Sequence, residues 1–125
     1  MMLYLFVPLV LAIAPAVLLL RYFLGKDKEK PEPRGRVMLV FFGGVISIIP
    51  AIILELIVSR IGRSLYLSPY LTAAFDAFIV AGLVEEYMKL TVVKITAYNR
   101  GVFDEYSDGI MYAVTAGLGF ACFEN

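Results

Sequence analysis

The chain has 125 residues, 61% of them apolar, with 11 basic and 11 acidic side chains and a mean hydropathy of +0.84. That apolar share exceeds the roughly one half of an ordinary soluble domain, which excludes that class, and the balanced charge offers no electrostatic footprint for nucleic acid. Histidine is absent, which excludes serine–histidine or cysteine–histidine hydrolysis, and any histidine metal ligand, within these residues.

Met1 to Leu20 carries no charged side chain and is long enough for a hydrocarbon core about 30 Å thick. Ala12-Ile13-Ala14 resembles a leader-cleavage site, but no basic segment precedes it and Pro15 follows directly, so a retained first helix is expected, bent at Pro8 or Pro15. A hydrophilic linker, 25–36, holds five basic residues (Lys26, Lys28, Lys30, Arg34, Arg36) and reads as a solvated loop. A second span covers about 37–58, interrupted by Gly43-Gly44, Pro50 and Glu55, and a connector with Arg60 and Arg63 follows. The third span, 71–97, carries Glu85-Glu86-Tyr87-Met88-Lys89, and the short turn 98–107 leads to a fourth, 108–125. Cys122, the lone cysteine, reads as a small buried thiol. The expected architecture is an all-α, multi-pass transmembrane helical bundle with four spans, about 1–24, 37–58, 71–97 and 108–125. The last of these is still running at Asn125, as in the amino-terminal part of a longer protein.

Basic residues favour the cytoplasmic side of a membrane. The first and third loops carry seven (the five above, Lys94 and Arg100) against two in the second. The N-terminus is therefore expected outside, and loops 25–36 and 98–107 in the cytoplasm of a cell-membrane protein.

Ionisable groups inside hydrocarbon are costly and usually face a protein interior or a wet cavity. On a helix Glu85 and Lys89 share a face in the favourable acid-first order, whereas Glu86 lies about 100° around. Two neighbouring carboxylates resist ionising together, which suits a general base or a metal ligand; a structural ion pair joining helices fits the spacing equally well. Ala74, Ala77, Ala81 and Gly82 project onto the face of Glu85. On the fourth span Ala113, Gly117 and Ala121 form a small-residue stripe, which Glu124 continues. By helical rise Glu85 lies ~16 Å and Glu124 ~24 Å from the cytoplasmic end, close enough for Glu85, Glu86 and Glu124 to line one cavity. Asp104, Glu105 and Asp108 read as capping the fourth helix, and Asp76 and Glu55, near the outer ends of their spans, as structural.

Val84-Glu85-Glu86-Tyr87-Met88-Lys89 resembles the Glu-Glu-x-x-Lys motif of the PrsW intramembrane proteases. Phe103-Asp104-Glu105, Asp108-Gly109-Ile110-Met111-Tyr112, Gly117-Leu118-Gly119-Phe120-Ala121 and Glu124-Asn125 resemble that family's second motif block. The resemblance covers the whole chain and implies an endopeptidase, distantly related to the CAAX-protease-like superfamily, that cleaves a membrane-anchored protein such as an anti-sigma factor. It implies a catalytic role for Glu85 and Glu86 and site support from Lys89, Asp108, Glu124 and Asn125. A divalent metal such as zinc is a possible cofactor, with Glu85, Glu86 or Glu124 as ligands beside a histidine that the family carries on a later helix, outside this chain. On that ground residues 1–125 alone are expected to be inert. Two other functions accommodate buried carboxylates: a non-catalytic membrane scaffold or receptor, and a transporter or proton relay.

Overall fold

A computed structural model describes residues 2–26 and 32–124, and among them every regular element is helical. Helix α1, Met2–Lys26, runs through Pro8 and Pro15 without ending, where a bend was expected. Of its described apolar side chains Ala16 and Leu20 are buried, while Leu5, Leu11 and Leu18 stand out from the bundle. An apolar face that large belongs against lipid or protein rather than water.

Helices α2, Arg34–Ile46, and α3, Ile48–Ser64, meet end to end at Ser47. The joint follows from Pro50, which has no N–H for the carbonyl four residues back and crowds it. Ser47 stays right-handed and its hydroxyl donates to the Gly44 carbonyl at 2.7 Å. Gly43-Gly44 serves a different purpose from the expected interruption. A Cβ on Gly44 would strike the carbonyl oxygen of Ala116, and one on Gly119 would strike that of Phe41. These glycines therefore let the backbones of α2 and the last helix touch. Tyr4–Lys26 and Arg34–Ser64 are each long and apolar enough to cross a membrane.

The third rod starts at Ser68, whose hydroxyl accepts from the Leu71 N–H at 3.4 Å, with Pro69 at the first helical position. It comprises α4, Pro69–Phe75, a π-helical segment, Asp76–Leu83, and α5, Val84–Thr96. A one-turn 3-10 helix, Tyr98–Arg100, and Gly101 at φ +69° turn the chain into α6, Tyr106–Glu124. The buried face of α6 is Asp108, Met111, Tyr112, Thr115, Ala116, Gly119 and Phe120.

The core lies where α2, α5 and α6 converge, on Val37, Val40, Val92, Val93, Tyr112 and Ala116, with Leu20 of α1 packed against it. Arg36 donates to the Thr96 carbonyl at 3.0 Å, fastening the start of α2 to the end of α5. That bond puts linker 25–36 and turn 98–107 at the same end of the bundle. Residues 27–31 of the linker, Lys28 and Lys30 among them, lie outside the described residues.

Candidate active site

The π-helical segment ends at Leu83, two residues before Glu85. Its i→i+5 pattern makes wider turns than an α-helix, and such segments occur frequently at functional sites. It also breaks the 100° projection that placed Ala74, Ala77, Ala81 and Gly82 on the Glu85 face. Ala74, Ala77 and Gly82 are exposed, and the buried positions leading into α5 are Val80 and Val84.

At the start of α5, Lys89 bridges both carboxylates. Its Nζ is 2.9 Å from Glu86 Oε1 and 3.6 Å from Glu85 Oε2, so the tighter partner is Glu86 rather than the expected Glu85. Both acids are within one turn, and the four-carbon lysine stem reaches either. Their surroundings differ: the Glu86 side chain is 74% exposed and that of Glu85 20%. Lys89 also leans over the Phe120 ring of α6, 4.9 Å from its centroid, which sets the level at which α5 and α6 cross.

Between these helices lies a cavity of about 560 Å³. Glu86 and Lys89 stand on one wall, Tyr98 and Phe103 at the far end, and Gly109, Ala113 and Gly117 opposite. Ala113 and Gly117 of the small-residue stripe thus face the cavity, whereas the close helix contact is made one face away by Gly44 and Gly119. Glu85 turns off this cavity wall. It lies within electrostatic range of Glu55 on α3, which also feels Glu124 at the end of α6. Glu55, expected to be structural near an outer end, is therefore half-buried beside the acidic pair. It is the only charged residue between Val37 and Ser59, and the argument that singled out Glu85 applies to it equally. Glu124 itself is exposed, and Asn125 lies outside the described residues.

Asp108 sits at the other end of α6. It is twelve residues before Phe120, or ~18 Å of helix from the level of Lys89, and does not join the pair. Its Oδ2 accepts from the backbone N–H groups of Asp104 and Glu105, both at 2.8 Å, so the capping expected of this segment is done by Asp108 reaching back. The Tyr112 hydroxyl donates to Glu32, which is buried and not solvated as the composition of the linker suggests. The carboxylates of Glu32, Asp104 and Asp108 offer oxygens that all lie within 4.8 Å of one another. Among the described residues this is the one group of three or more metal-ligating side chains. Glu85, Glu86 and Glu124 do not form one, so the described residues alone do not make a metal site at the pair.

Comparison with known proteins places residues 32–125 in a match to the family described as PrsW family intramembrane metalloprotease. The chain is 38% identical over 113 residues to the Protease PrsW of Geobacillus kaustophilus, covering 90% of this chain and 48% of that protein. It is 34% identical over 115 residues to the Protease PrsW of Bacillus subtilis, covering 90% and 49%. To that of Clostridioides difficile it is 32% identical over 115 residues, covering 92% and 47%. The chain spans about half the length of the curated relatives it matches. No solved structure matches it.

Proposed function

Because the chain belongs to the PrsW family of intramembrane proteases, we propose that Glu85 and Glu86 carry out the hydrolysis of a membrane-anchored protein by the complete protein. What supports this reading above all is Glu86 and Lys89 lining a cavity large enough for a peptide segment, with Glu85 held behind them. A carboxylate takes a proton from water as that water attacks the scissile carbonyl, and returns it to the departing amine. Lys89 pairs with both acids, most closely with Glu86, and Glu85 is the more enclosed of the two.

The family description implies a metal, but Glu85 and Glu86 find no third ligand among the described residues. A zinc ion would need ligands from beyond them. The bundle crosses the cell membrane four times, with the N-terminus outside and loops 25–36 and 98–107 cytoplasmic. The Arg36–Thr96 bond supports both loops lying on one side, and their basic residues support that side being cytoplasmic. An anti-sigma-factor-like regulator is the substrate class.

Replacing both Glu85 and Glu86 by Ala in the complete protein lowers cleavage of a membrane-anchored reporter at least ~100-fold while membrane expression persists. Undiminished cleavage refutes the role. One observation favours a second reading: the lysine bridge is also what a structural ion pair looks like. A scaffold would tolerate exchange of Glu85 and Lys89, and a protease would not.

A further inference from the structure

A second acidic site lies at the opposite end of α6 from the proteolytic pair. Glu32 comes from the linker before α2, Asp104 from the turn before α6, and Asp108 from its first turn. Glu32 is 8% exposed and Asp108 not at all, while Asp104 is open to solvent. Their carboxylate oxygens lie within 4.8 Å of one another, a spacing at which one cation can touch all three. An independent observation concerns a single oxygen. Asp108 Oδ2 is occupied by two loop N–H groups, but Oδ1 is fully enclosed and has no hydrogen-bond partner among the described residues. Buried acceptors of this kind are rare, and a bound ion is one of the few explanations they have.

We propose that Glu32, Asp104 and Asp108 bind a hard divalent cation of the calcium type. The donor set is oxygen only, which suits calcium, magnesium or manganese and not zinc. Ca²⁺–oxygen distances of about 2.3–2.6 Å allow ligands up to about 5 Å apart across the ion, and the three oxygens lie within 4.8 Å. Exposed Asp104 gives the ion a way in. The site is built for position and not for hydrolysis: ~18 Å of α6 separates it from the level of Lys89. Its ligands tie the linker to the turn that carries Phe103, and Phe103 stacks on Tyr112 (centroids 5.6 Å apart, planes at 26°) while closing the far end of the cavity. The cation fixes that end.

The test uses the complete protein in detergent, stripped with EDTA and carrying Glu85→Gln and Glu86→Gln. That background removes the proteolytic pair as a competing ligand, so the outcome does not depend on whether the pair hydrolyses peptides. Mn²⁺, a paramagnetic stand-in, is titrated under electron paramagnetic resonance and then displaced with Ca²⁺. The expected result is one Mn²⁺ per chain, displaced by Ca²⁺, with affinity at least ~10-fold weaker after Glu32→Gln or Asp104→Asn. Ca²⁺ also raises the thermal unfolding midpoint of the parent and leaves that of Glu32→Gln unmoved. Absence of saturable Mn²⁺ binding, or binding that survives both substitutions, overturns the proposal. So does a Glu32→Gln variant that is more stable than the parent in Ca²⁺, because relief of repulsion would then outweigh loss of a ligand. Asp104 is exposed, so its variant keeps the test valid should Glu32→Gln fail to fold.

Discussion

Lys89 shows how one side chain settles the state of its neighbours. It pairs with two acids and a ring, at 3.6, 2.9 and 4.9 Å, and its own side chain is only 22% exposed. The pair and its lysine were legible in the sequence, because charges placed in an apolar run carry a cost that only a partner or a cavity offsets. Glu55 was equally legible by that logic, yet its distance from a span end was judged from a helix taken in isolation. Glu32 was not legible: its hydrogen-bond partner Tyr112 is 80 positions away, and linker composition says nothing about contacts at that range. At this scale, Tyr112→Phe removes the donor from a buried carboxylate and lowers stability by about 1–3 kcal/mol. Chemical denaturation of the detergent-solubilised protein reads this, and a change within noise would mean that Glu32 is satisfied without the tyrosine.

The helices themselves followed from apolar length and from proline and glycine. The joint at Ser47 follows from Pro50. The π-helical segment, by contrast, has no residue signature in Asp76–Leu83, and it undid the projected small-residue face ahead of Glu85. Ala113 and Gly117 of the α6 stripe line the cavity, whereas the crossing of α2 and α6 uses Gly44 and Gly119, which small-xxx-small spacing within one helix cannot single out. Two substitutions separate these positions. Gly119→Ala puts a methyl group into the Phe41 backbone and destabilises the bundle by about 1–3 kcal/mol or more. Gly117→Ala meets nothing within 4 Å and leaves stability unchanged or raises it by up to about 1 kcal/mol in the same thermal-unfolding assay. Equal losses at both would mean that the stripe is a packing surface after all.

For the molecule as a whole, the all-α membrane class was plain from composition, while the arrangement of the site depended on which helix faces met. The Arg36–Thr96 bond and the Glu32 cluster gather linker 25–36 and turn 98–107 at one end, and the Leu65–Ser68 connector lies between the other ends of α3 and α4. With Cys122, the only cysteine of residues 1–125, replaced by Ala, single cysteines in these residues show the orientation. A cysteine at Asn99 is expected to react with a membrane-impermeant thiol reagent only from the cytoplasm, and one at Ser68 only from outside; the reverse pattern would invert the topology. The central claim is that the acidic pair beside the α5–α6 cavity performs hydrolysis. Its most direct test reconstitutes the complete protein with a membrane-anchored substrate and compares the parent with Glu85→Gln, Glu86→Gln and the double variant, all verified as folded by thermal unfolding. The account predicts that the double variant loses at least ~100-fold in cleavage rate. Cleavage by that variant at the parent rate would contradict it.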